Sequence, residues 1–189
     1  VAIDNRGREG KSRHSENISD HLHDGKKIIV QVTKDPLGTK GARLTTALSL
    51  STRYLVLLPQ SDHIAVSQLI EDPLERERLQ RLLVAGLAAE NMDEVGGFIL
   101  RTAAEGVGPE EITVDLRFLK RLWVAVSRRA KDAQKAELLY EELPLHLRVV
   151  RDMARPSFDR IVIDSRECFV ALQQFCVAYM PEMAGLLEH

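Results

Sequence analysis

Arg101 and Thr102 stand side by side at the end of a short apolar run, and a small-residue turn follows them, giving GFILRTAAEGVG over residues 97–108. A guanidinium is a rigid planar fork that matches two oxygens of a phosphate, and a neighbouring hydroxyl adds a third hydrogen bond. Side chains alternate faces along a strand, so both can serve one phosphate only where the strand twists or ends between them. The turn after Thr102 provides for that. On pattern alone, an exposed arginine beside a capping threonine is the simpler account of the pair. A second cationic stretch, GTKGARLTT over 38–46, sets Lys40 between Thr39 and Gly41, with Arg43 close behind and Thr45 and Thr46 as further donors. An ammonium so placed reaches a sugar–phosphate backbone with little steric cover. The stretch has no aromatic for base stacking, so it suggests a positioning contact without sequence information, against the plain alternative of a solvated turn.

Other ionisable clusters are weaker. Arg148, Arg151 and Arg155 recur at helical spacing, and a solvated helix face with partners such as Asp152 accounts for them better than a phosphate track. Asp159 and Asp164 flank a short strand, and their separation puts them at its opposite ends. Metal-assisted cutting needs convergent carboxylates, so a turn and a cap explain this pair. His14, His21 and His23 lie in polar surroundings with no scaffold to fix them as ligands. Cys168 and Cys176 fit neither a redox pair nor a zinc ligand set and read as buried, reduced thiols. No Ser-His-Asp signature or phosphate-binding glycine loop of the NTPase type is present.

The elements that must position these groups follow from periodicity and punctuation. Residues 1–24 are polar and aperiodic and read as a mobile loop. Strands are expected at 26–32, loosely at 43–50, at 53–58 and at 98–102, with a turn at 35–38 marked by Pro36 and Gly38. An amphipathic helix is expected over 71–90, with Leu74, Leu79, Leu82, Leu83 and Leu87 on its apolar face. A second opens with Pro109, Glu110 and Glu111, a proline and two carboxylates suited to a helix start, and runs through Trp123 to about 130. A third spans 143–153. After a strand at 160–163, Asp164 or Ser165 caps a last helix ending before Pro181. The order is that of an α+β protein.

Composition limits the function classes. With 44% hydrophobic and 29% charged residues the chain has a real core, and no apolar run approaches the ~20 residues of a membrane span. A net charge of −2 argues against coating nucleic acid by bulk electrostatics, so any RNA contact rests on local patches.

The stretches DPLGTKGARLTTALSLSTRYLVLLP (35–59) and GFILRTAAEGVG together resemble the ribonuclease E/G family of bacterial RNA-processing endonucleases, its G branch more than its E branch, from about Gly25 onward. The resemblance implies three pieces: residues 1–49 as the tail of a five-stranded oligonucleotide-binding barrel (OB-fold), 50–146 as a 5′-end sensor, and 147–189 as part of a structural ribonuclease-H-like subdomain. It implies that Arg101 and Thr102 grip the 5′-terminal monophosphate of single-stranded RNA. Val56 and the backbone amide of Thr52, a glycine position in the E branch, would form the second wall. Lys40 and Arg43 would touch the RNA backbone. Gln68 and Leu69 replace two arginines of the E branch, so no extra basic clamp is implied.

The resemblance also implies what lies elsewhere. The family's enzymes are cytoplasmic homo-oligomers that mature ribosomal RNA and turn over messages. They use Mg2+ held by two aspartates and zinc-binding cysteines at the protomer link, both expected beyond His189. The chain is thus expected to be a fragment, inactive as a nuclease by itself, with no cofactor of its own. The final LEH is either native or the start of a purification tag. The alternatives are a stand-alone RNA-binding or scaffold protein and a purely structural interaction domain.

Overall fold

The computed structural model describes residues 19, 22–92, 94–155 and 157–189. The loop reading of 1–24 therefore falls largely outside the described residues, as do His14 and His21; His23 pairs through Nδ1 with the Asp24 carbonyl at 3.1 Å. The first described elements are β1 (Gln31–Lys34) and β2 (Arg43–Thr45), an antiparallel pair with an irregular register between Val32 and Lys34. Leu37 and Lys40 exchange backbone hydrogen bonds of 3.1 Å across a turn in which Gly38 takes a φ of 59°. That left-handed conformation is one glycine adopts without steric cost. Of the barrel strands expected in 1–49, the described residues hold this pair, and Val32, Leu37 and Leu44 on it are exposed. The strand begins later than the apolar run 26–30 indicates, because its three-residue partner offers a ladder only from Gln31.

A four-stranded mixed sheet follows, in the order β3 (Leu50–Ser51), β4 (Leu55–Leu58), β6 (Gly97–Leu100), β5 (Ile64–Val66). β4 is antiparallel to both its neighbours, whereas β5 and β6 are parallel and joined through α1 (Pro73–Ala89). Asp72 caps that helix by accepting the Leu74 amide at 3.0 Å. Leu79, Leu83 and Leu87 are its buried stripe. Leu74, expected on the same face, is exposed. It stands five positions before Leu79, roughly 140° around the helix. The short β5 was not legible in the sequence, and Arg53–Tyr54 leave the expected strand because the Tyr54 amide bonds to a side chain and not to the ladder.

The second helix, α2 (Pro109–Asp132), buries Ile112, Leu116, Phe118, Leu119, Leu122 and Val126, and with them Asp115. Gly86 of α1 lets the two helices close up: a Cβ there would lie 2.8 Å from Leu116 Cδ1. The rest comprises α3 (Leu145–Met153), β7 (Ile161–Val162), α4 (Arg166–Tyr179) and β8 (Leu187–Glu188), with β7 and β8 parallel. Ser165, and not Asp164, caps α4 by accepting the Cys168 amide at 3.3 Å. Phe118 of α2 meets Phe175 and Tyr179 of α4 at ring separations of 5.9 and 5.8 Å. The buried side chains consequently form one cluster running from Leu50 to Met183. Both cysteines are free; Cys176 is buried and its thiol is pushed up to about 11 by that burial, while Cys168 is half-buried.

Candidate functional site

Three chain segments meet at one edge of the mixed sheet. Parallel β5 and β6 both end there, and β4 begins there, since Leu55 pairs with Leu100 and Val66 with Leu100. The carboxyl ends of parallel strands are where open α/β sheets bind ligands. β6 ends at Leu100, so Arg101 already leaves the ladder and Thr102 opens a 3-10 turn over Thr102–Ala104. The alternation that would have sent the two side chains to opposite faces is thereby released. Thr102 Oγ1 lies 3.1 Å from Ser67 Oγ, the first residue past β5. Ser67 is fixed in turn: its amide donates to the Leu100 carbonyl at 2.8 Å, and Arg76 Nη1 donates to its carbonyl at 2.6 Å and to that of Ile70 at 3.1 Å.

Arg101 is exposed, yet tied at two points. Its amide donates to the Tyr54 carbonyl at 2.8 Å and its Nη1 to the Thr52 carbonyl at 2.5 Å. One nitrogen of the fork is thus occupied, and the other guanidinium nitrogens have no partner among the described residues. The turn that receives it is itself anchored from below. Asp115 Oδ2 accepts the Thr52 hydroxyl at 2.6 Å and the Tyr54 amide at 2.8 Å, and burial pushes this carboxyl above its ordinary range. Beyond Thr102 the loop is held by Glu75, which accepts the Gly106 amide at 2.8 Å and both Nε and Nη2 of Arg78 at 2.6 and 2.7 Å. Chiefly the Arg78 hydrogen bonds, then the Gly106 amide, keep the Glu75 carboxyl at about 2.

Thr52 differs from its expected part. It is fully buried, and its amide already donates to the Leu55 carbonyl at 2.9 Å, so that amide is engaged inside the protein. What Thr52 contributes at the surface is the carbonyl that holds Arg101. Val56 sits mid-way along β4, half-buried, opposite Ser51 and Ile99. Lys40 lies in the turn between β1 and β2 and Arg43 on β2, both exposed and with no side-chain partner among the described residues. Of the three arginines at helical spacing, Arg148 is exposed, Arg151 is buried and chelated by the expected partner Asp152 at 2.7 and 3.0 Å, and Arg155 lies past the end of α3. Arg155 Nη2 donates to the Tyr54 hydroxyl at 2.7 Å, and that ring lies under the guanidinium of Arg53 at 5.1 Å. Ser67, Arg76 and Asp115 were missed in the sequence. Only Asp115 left a signal, a carboxylate three residues after Ile112 and four before Leu119, on the apolar stripe.

Among the described residues no group of three or more His, Cys, Asp or Glu side chains is placed to hold a metal ion. No helix of the described residues is long and apolar enough to cross a membrane.

This is an α+β protein that presents a half-free guanidinium and two hydroxyls at the carboxyl edge of a β–α–β unit, equipment suited to an oxyanion such as phosphate. A model of the ribonuclease E/G family matches residues 49–189, and the chain belongs to that family. It is 50% identical over 183 residues to ribonuclease G of Escherichia coli strain K12, covering 97% of this chain and 36% of that protein. Ribonuclease G of Haemophilus influenzae is 42% identical, with 95% of this chain and 35% of that protein covered. Ribonuclease E of a Nostoc species is 35% identical, with 84% and 22% covered. The chain thus spans about 36% of the length of the first of these relatives.

Proposed function

We propose that this chain is the RNA-holding, 5′-monophosphate-sensing part of a single-strand-specific endoribonuclease of the ribonuclease G kind, acting in ribosomal RNA maturation and messenger decay. The observation that carries the reading is Arg101: an exposed guanidinium held in place through one nitrogen, its other nitrogens without a partner among the described residues, and followed in the chain by Thr102, whose hydroxyl lies 3.1 Å from that of Ser67. A terminal phosphate in this notch accepts two N–H bonds from Arg101 and a hydroxyl bond from Thr102. Thr52 fixes the guanidinium from behind, and Val56 supplies an apolar contact for the terminal nucleotide. Lys40 and Arg43 steer the following backbone without reading bases. In this reading cutting belongs to carboxylates and Mg2+ elsewhere in the parent enzyme, and the joining of protomers to a zinc site elsewhere in it. The parent enzyme works in the cytoplasm as a homo-oligomer.

The test is a titration of the protein with one short single-stranded RNA made in two forms, ending in 5′-phosphate or 5′-hydroxyl. Tighter binding of the phosphorylated form supports the sensor reading, and equal binding of the two forms refutes it. Equal binding would leave the chain a general RNA-binding or scaffold protein.

A further inference from the structure

We propose, building on that phosphate reading, that Asp115 is the positioning residue that sets Arg101. Asp115 is 5% exposed and stands in the apolar stripe of α2. Its carboxylate meets no ammonium or guanidinium within ion-pair distance among the described residues. Its hydrogen-bond donors are instead the Thr52 hydroxyl and the Tyr54 amide. These two residues also carry the acceptors of Arg101, the Thr52 carbonyl for the guanidinium and the Tyr54 carbonyl for the amide. One carboxylate oxygen thus bonds both residues whose carbonyls hold the arginine at head and foot.

The direction of the network follows from its lengths. Thr52 Oγ1 has one proton and two acceptors in reach, Asp115 Oδ2 at 2.6 Å and the Leu55 carbonyl at 3.1 Å. The proton goes to the shorter, charge-assisted bond. The hydroxyl oxygen is then free to accept the Leu55 amide at 3.3 Å. A carboxylate buried among leucines is unfavourable unless something engages it, and here it is engaged by the turn beneath the arginine. An apolar residue at this position would extend the stripe of Ile112 and Leu119 and leave residues 52–54 without their anchor.

The experiment measures the preference for 5′-phosphate over 5′-hydroxyl RNA in the 189-residue protein. The variants are Asp115→Ala, Asp115→Asn, Thr52→Val, Thr52→Ser and Arg101→Ala, with folding followed by circular dichroism. Asp115→Ala and Thr52→Val should each lower the preference about three- to tenfold, the effect of a hydrogen bond lost behind the contact. The hydroxyl-ended RNA should bind them as it binds wild type. Asp115→Asn and Thr52→Ser retain an acceptor and a hydroxyl and should restore most of the preference. Combining Asp115→Ala with Arg101→Ala should do nothing beyond Arg101→Ala alone, since Asp115 acts through it. If Asp115→Ala does not fold, the two Thr52 variants decide. Loss of preference in Arg101→Ala but not in Asp115→Ala or Thr52→Val overturns this proposal alone. Equal weakening of both RNAs by those variants also overturns it, as a merely structural role. A wild-type protein that does not distinguish the RNAs overturns the phosphate reading and this one with it.

Discussion

Replacing Arg101 by alanine is the most direct probe of the site. Of the five N–H donors of the fork, one group is tied to the Thr52 carbonyl, which leaves enough for a two-point grip on phosphate. Charge-assisted bonds of this kind contribute roughly 1.5–3 kcal/mol, and every ~1.4 kcal/mol is a factor of ten in affinity. Arg101→Ala should therefore weaken 5′-phosphorylated RNA about ten- to a hundredfold. The hydroxyl-ended RNA never used the contact and should respond little. Arg101→Lys keeps the charge but not the planar fork, so it should recover only part of the preference. The released Thr52 carbonyl lies under an exposed side chain, where water can replace the guanidinium, so the fold should survive. Fluorescence anisotropy with both RNAs against wild type and both variants reads all of this. If Arg101→Ala weakens the two RNAs by the same factor, the residue is a general electrostatic contact and the reasoning fails.

Three further outcomes follow from other parts of the molecule. Lys40→Ala should weaken binding alike across RNA sequences and reduce the salt slope by at most ~1; a large loss confined to one sequence would show base reading. Glu75 is held at about 2 against an ordinary value of 4.5, so its stabilisation of the loop 102–108 is complete above the ordinary value and fades as pH falls toward the lower one. The protection of the Gly106 amide against exchange, taken relative to its intrinsic rate at each pH, should fall over that window, and Glu75→Gln should show lower protection at neutral pH; unchanged protection in both would refute the role. Gly97→Ala would place a Cβ 2.5 Å from the His63 carbonyl oxygen, a backbone atom that cannot swing aside. Urea denaturation should show a loss of about 1–3 kcal/mol, and a wild-type midpoint would count against the close approach.

Features written locally were legible in the sequence. Pro109 with Glu110 and Glu111 announces α2, Ser165 caps α4, and the turn that follows Arg101 and Thr102 is marked by small residues next to them in the chain, whereas a phosphate-binding role for that pair came from the family resemblance. What the sequence concealed depends on distant partners. Ser67 meets Thr102 across 35 residues and Asp115 meets Thr52 across 63, so neither pairing leaves a spacing to read. Arg151 shows the same limit from the other side. Its periodicity fits an exposed face, but the Ser51 carbonyl, 100 residues earlier, lies 3.3 Å from its Nη1, within the buried surroundings it shares with Asp152. Two- and three-residue strands such as β5 and β8 are too short to establish an alternation.

The turn at 51–54 is a junction for distant chain, and this orders events during synthesis. Its partners arrive 49 residues later in Arg101, 61 to 63 later in Asp115, and about 100 later in Arg151 and Arg155. At roughly 5–20 residues per second, a translating ribosome needs about 5–20 s to deliver the last of them. Through that interval the growing chain holds the turn with its amides and carbonyls bonded to water. The contacts of this turn are therefore complete only once α3 has emerged and docked.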